Sequence, residues 1–367
     1  MKVQYVLLFI LLSHAVLSQD KKAQDISADT IAILELNSSL GAPPIFYENK
    51  IYTVELSGLI SSYDLSGKRL WGRNTASTLH SRPIIADTML CAATSKNEII
   101  TLDLNNGAPV QSFGITDSIT TDLTLIQYTG DKELMMPKSS YSKSSVVFGT
   151  KSGSIYCIDL ETLQVYWVNK DAAGPVKSQI VAVDNRILFT SRDGFLYSID
   201  SRNGLLNWRW KEKAETDFSN SQITCDGQKV YVIDNEFSLF SIDLLLGNFT
   251  WKSPAKVFGS VGISGDKKKL YAKGLYSKFY IISTINGKVL KGIRRYDLFE
   301  SDNISPFEYN KKILFTNWNS IFSLNEKFKE EIVYKHWGPP ITSFMQINKN
   351  LFLVSNSNGS IIILSIR

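Results

Sequence analysis

Short apolar runs of five or six residues recur along the chain, some alternating with polar residues and some continuous, and they stop at Gly, Asn and Asp. That pattern predicts strands joined by tight turns, and no stretch sustains a helical period. The clearest copy starts at Ser178. Ser178–Val183 predicts a first strand, Asp184-Asn185 a turn and Arg186–Ser191 a second strand. Arg192-Asp193-Gly194 turns again, Phe195–Ile199 predicts the third strand, Asp200–Gly204 the third turn and Leu205–Trp210 the last strand.

This four-stranded unit repeats. Five segments end a strand on an aspartate: Asp64, Asp103, Asp159, Asp200 and Asp243. Ser283, Ser323 and Ser365 take the same place in three weaker copies. Successive spacings are 39, 56, 41, 43, 40, 40 and 42 residues, a period that suits one propeller blade. Six residues ahead of the marker stand Gly58, Asn97, Gly153, Gly194, Asn317 and Gly359, residue types that accept the positive φ of a tight hairpin. Just after it come Gly107, Gly204, Gly247 and Gly287, with Gly67 one place early. Four positions beyond the glycines lie Trp71, Trp208 and Trp251, and Trp167 has the same place where Leu163 replaces the glycine. Tryptophans spread at one per unit predict packing between units rather than one ligand site. The aspartates are expected to accept backbone N–H groups in their turns.

Eight markers predict an all-β, eight-bladed propeller of four-stranded antiparallel blades. The last copy shows only three strands, 340–348, 351–355 and 360–366. Near the start, Ile31–Leu36 is a strand without a blade of its own, so it is expected to close the last blade and leave no open sheet edge. The 56-residue spacing marks an insertion within 114–144, readable as a surface insertion or as a functional loop.

The first 18 residues read as a secretory signal: Lys2, an apolar run from Val6 to Leu12, then small Val16 and Ser18 before a cut at Gln19. The expected organisation is a signal peptide (1–18), a linker (19–29) and the propeller (30–367). No later run is long enough to span a bilayer. The net charge of +5 is dispersed, which argues against nucleic acid as a partner. Cys91, Cys157 and Cys225 are far apart, which leaves either three buried thiols or one disulfide with a free cysteine.

The segments Tyr63-Asp64-Leu65-Ser66-Gly67-Lys68-Arg69-Leu70-Trp71 and Ile199-Asp200-Ser201-Arg202-Asn203-Gly204-Leu205-Leu206-Asn207-Trp208 resemble the repeat of the pyrroloquinoline-quinone (PQQ)-like propellers. Within that group the chain is most similar to the BamB-type outer-membrane protein assembly factors. The resemblance covers about residues 30–367. It implies a tryptophan docked on the neighbouring blade, and a periplasmic scaffold, expected as a monomer, that binds the barrel-assembly machinery. It also implies partner contacts near 171–177 and 211–220. Many such factors are lipoproteins, whereas no Cys stands at the expected cut here.

The same repeat serves quinone-dependent dehydrogenases, whose implied features are missing. No adjacent cysteines occur, and aspartates spread around a ring cannot gather the six to eight oxygens that calcium takes. Beyond the leader only His80 and His336 remain, and no GxSxG, GxGxxG or P-loop occurs. The expectation is therefore no catalytic, cofactor-binding or metal-binding residues. A quinone-dependent oxidoreductase and a secreted propeller binding carbohydrate or another ligand remain as alternatives.

Overall fold

The computed structural model describes residues 27–127, 144–218, 221–276, 278–294, 304–325, 327–336 and 338–367. The expected leader, most of the linker and most of the insertion lie outside them.

Every regular element described is a strand, and all pairings are antiparallel between sequence neighbours, with one exception at the chain ends. The unit containing Trp208 shows why. Its strands are Val181–Val183, Arg186–Thr190, Leu196–Asp200 and Leu206–Trp210, each within a few residues of the expected bounds. The two middle strands are buried on both faces and so read as continuous runs of Ile, Leu, Phe and small residues. The outer strand is mostly exposed, with Trp208 its one buried side chain.

Six sheets have four strands and one has seven. In the large sheet the 15-residue strand Phe249–Ile263 pairs first with Ser238–Asp243 and then with Lys269–Gly274. It is thus the outer strand of one unit and the inner strand of the next. Counted by sheets the ring has seven members; counted by four-stranded units it has eight. We number the units 1–8 along the chain: 45–74, 84–114, 124–169, 181–210, 224–256, 257–294, 307–335 and 341–366. Eight apolar clusters lie between them, each drawing buried residues from two neighbours. The core is therefore a ring of interfaces with no single centre.

The exception in pairing is Ala28–Glu35, which joins Ser360–Ile366 as the outer strand of unit 8. It begins at Ala28, two residues before the expected start of the propeller and inside the expected linker. Leu34 is buried in the cluster between units 8 and 1.

Two expectations need correction. In unit 7 the turn marker is Asn325, two residues after Ser323: its Oδ1 accepts the N–H groups of Lys327 and Lys329 at 3.0 and 2.9 Å, as Asp64 does for Ser66 and Lys68. Ser323 is instead buried within Ser320–Leu324. Asn317 does not adopt positive φ; its Oδ1 caps the hairpin by accepting Asn319 and Ser320 N–H. The cysteines are three free thiols, and burial pushes Cys91 up to about 12, which leaves it protonated and inert.

Candidate protein-interaction surface

Antiparallel meanders put alternate turns at opposite ends of the ring. The turns between strands one and two, and three and four, share one end, here called the turn end. The hairpins between strands two and three, and the connections between units, share the other, the loop end.

At the turn end each marker aspartate folds back on its own turn. Asp64, Asp103, Asp159, Asp200 and Asp243 each accept one or more N–H groups within the next four residues, at 2.7–3.1 Å. These bonds favour the carboxylate. The Ser66 bonds hold Asp64 below its usual range, and Arg202 does the same for Asp200.

The glycine that follows receives the previous unit. Trp71, Trp167, Trp208 and Trp251 pack against Gly107, Gly204, Gly247 and Gly287, respectively. Gly247 shows the fit: its φ is +70°, and a Cβ there would stand 2.6 Å from Trp208 Cδ2, so only glycine suits both the turn and the ring above it. Each indole also donates to a backbone carbonyl one residue after the marker. The acceptors are Leu104, Ser201, Leu244 and Thr284, at 2.9–3.1 Å. Gly67 differs, because its neighbour is the Leu34 side chain at 3.7 Å rather than an indole.

Two junctions reuse that carbonyl with other donors. Gln111 Nε2 donates to Leu160 O at 3.2 Å, and the Tyr309 hydroxyl donates to Ile366 O at 2.8 Å. At a third, the Lys291 ammonium sits 5.2 Å from the Phe328 ring centroid. Gln111 and Lys291 stand eight residues after their markers, the offset of three of the tryptophans, so a strict count would have found them. Leu34 and Tyr309 are off that offset and carry no such signal.

At the loop end the ring opens into a cavity of about 1460 Å³ around the axis. Hydroxyls and amides such as Ser81, Thr121 and Gln179 share its wall with Phe258 and Phe344. His80 lies on its rim, and Asp122 there accepts Arg82 N–H at 2.7 Å. Burial lowers the pKa of His336, the second histidine among the described residues. No three His, Cys, Asp or Glu side chains stand close enough to share a metal ion among the described residues. The marker aspartates lie at the opposite end from this cavity, spread around the ring with one oxygen of each engaged in its turn, so this donor set does not fit a quinone–calcium pair.

The two expected contact loops are neighbours on the loop end and are held from below. Asp193 Oδ2 accepts Ala173 N–H at 2.8 Å and the Tyr197 hydroxyl at 2.6 Å, while Asp193 O accepts Lys211 Nζ at 2.9 Å. Lys213 pairs with Glu236, and Lys252 with Glu212, both at 3.0 Å on the surface. The result is a fixed polar rim over units 4 and 5, suited to recognition by a preformed surface. Residues 219 and 220 of the second loop lie outside the described set.

Comparison with known proteins bears on this geometry. The model of the family described as outer membrane protein assembly factor BamB matches residues 12–113 and 133–290. The outer membrane protein assembly factor BamB of Shewanella oneidensis is 21% identical over 250 residues, 65% of this chain and 57% of that protein. An uncharacterised Rickettsia prowazekii protein is also 21% identical over 250 residues, 62% of this chain and 56% of that one. The aligned part thus spans little more than half the length of these relatives. Among solved structures, BamB from Moraxella catarrhalis superposes with a TM-score of 0.71 at 16% identity, covering 92% of this chain and 97% of that one. Saccharomyces cerevisiae Sqt1 superposes as well, at 0.72 with 11% identity, covering 92% and 98%, so structural likeness at this level speaks for the fold alone. The family model covers well over half of the sequence, and on that ground the chain belongs to the outer membrane protein assembly factor BamB family.

Proposed function

We propose that this protein is a non-catalytic periplasmic scaffold that binds partner proteins during assembly of outer-membrane β-barrels, acting as a monomer. Family membership carries the reading. Two features of the chain support it. Its five marker aspartates are engaged by their own turns, and the loops at 171–177 and 211–218 form one braced rim beside the axial cavity.

A broad rigid rim binds with little ordering cost, and Lys213, Glu212 and Glu236 supply charges that set register. Photocrosslinking in cells from position 173 or 213, followed by mass spectrometry, tests this. The expected products are components of the barrel-assembly machinery. Crosslinks that contain no such component would remove the reading. A second arm adds PQQ and calcium to the purified protein, and dye-coupled alcohol oxidation there would overturn the non-catalytic part.

A further inference from the structure

The opposite end of the ring departs from its own repeat in two units. The tip of the turn between strands three and four lies two residues after the marker. In five of the seven described turns it is polar: Ser66, Asn105, Glu161, Arg202 and Lys327. In units 5 and 6 it is Leu245 and Ile285, which are 64% and 73% exposed, and Leu246 beside them is 70% exposed. Exposed leucine and isoleucine at turn tips cost solubility and contribute nothing to the ring interior.

These tips are neighbours. Trp251 of unit 5 and Lys229 of unit 5 both donate to Thr284 O in the unit 6 turn, at 2.9 and 2.8 Å. Lysines surround them at the same end: Lys267, Lys268 and Lys288 are exposed in unit 6, and Lys311 and Lys327 in unit 7. The nearby carboxylates are partly occupied. Asp226, Asp243 and Asp266 each give an oxygen to backbone N–H groups of their own turns. Hydrogen-bonded carboxylates keep their charge, but the five exposed lysines outnumber Asp226, Asp243, Asp266 and Glu308, whose Oε2 accepts Gly265 N–H at 2.8 Å, so the end presents apolar points on a net positive surface.

We propose that the turn end of units 5 and 6 docks on an anionic lipid bilayer. Leu245, Leu246 and Ile285 enter the boundary between headgroups and acyl chains, and the flanking lysines meet lipid phosphates. This places lipid and protein partners at opposite ends of the ring, and it stands apart from the reading of the loop end.

Vesicle flotation tests it, using the full chain and the chain from residue 19, which keeps every described strand. Both should float with phosphatidylglycerol–phosphatidylethanolamine vesicles and not with phosphatidylcholine alone. Leu245→Ser/Leu246→Ser/Ile285→Ser should lower the bound fraction by on the order of tenfold with the melting temperature unchanged. Lys267→Gln/Lys268→Gln/Lys288→Gln should weaken binding to the anionic vesicles, while Val110→Ser, at an exposed apolar site in unit 2, should not. Four results would overturn the proposal. They are no flotation of wild type, flotation of the full chain alone, equal flotation of the apolar triple variant, or a lipid-free dimer that this variant abolishes.

Discussion

The junction between units 4 and 5 and the junction between units 2 and 3 perform the same task with different chemistry. At the first, Trp208 covers Gly247 and donates to Leu244 O at 3.0 Å. At the second, Gln111 donates to Leu160 O at 3.2 Å, and Leu163, itself at a φ of +55°, stands where the glycine would be. Both satisfy the carbonyl that follows the marker. Only the first adds a large apolar side chain buried between sheets. The shared requirement is thus a donor for one orphaned carbonyl, and the indole adds packing to it.

The ring's closure sharpens this contrast, because there the junction is made by a strand that comes from the other end of the chain. Deleting residues 28–35 removes the outer strand of unit 8 and the Leu34 contact on Gly67. We expect the largest effect here, a fall in melting temperature on the order of 10 °C or more with aggregation through the bared edge. A melting temperature within about 2 °C of wild type would show that the strand is dispensable.

Glycine substitutions come next. Gly247→Ala must pay for a left-handed residue and for the clash with Trp208, about 2–5 kcal/mol in denaturant unfolding. Gly67→Ala meets Leu34 at an ordinary 3.7 Å and should lose only the backbone part, about 1–2 kcal/mol. Equal losses at the two sites would mean that the indole contact adds nothing.

Lys273 gives a pH-dependent test away from the turns. It is fully buried on Lys269–Gly274, and burial lowers its ammonium to about 7. The unfolded chain then holds the extra proton between about pH 7 and 10.4, so stability rises with pH across that window. Lys273→Met removes the dependence. Its stability relative to wild type should be greatest at pH 7 and decline by about 1–3 kcal/mol by pH 9.5 in urea unfolding. A difference that stays flat with pH would show that this lysine does not titrate in that range.

The smallest effect belongs to the amide junction. Gln111→Ala removes a donor from an edge that retains some solvent access, and should cost about 0.5–1.5 kcal/mol. A loss as large as that at a tryptophan junction would erase the distinction drawn above.

Most of this architecture was legible because it is periodic. Asp200, Gly204 and Trp208 recur with fixed offsets, and each plays its part within one turn or against the next unit. What the sequence hid was whatever broke the period. Asn325 was obscured by Ser323 because both residues fit the period, and Tyr309 reaches Ile366 O from a first strand instead of an outer one. Phe249–Ile263 serves two units without an intervening loop, so no turn residue announces the boundary. The candidate surface was legible only as a region. The bracing of residues 171–177 and 211–218 by Asp193 depends on a hairpin that no local pattern ties to them.

The account rests on indoles that lock four of the eight units onto the next, and Trp208→Ala tests that most directly. Chemical unfolding of the variant should show a loss of about 3–5 kcal/mol, as expected for a buried large aromatic that also leaves Leu244 O without its donor. A loss below about 1 kcal/mol would contradict it, because the ring would then be held by something other than these docks.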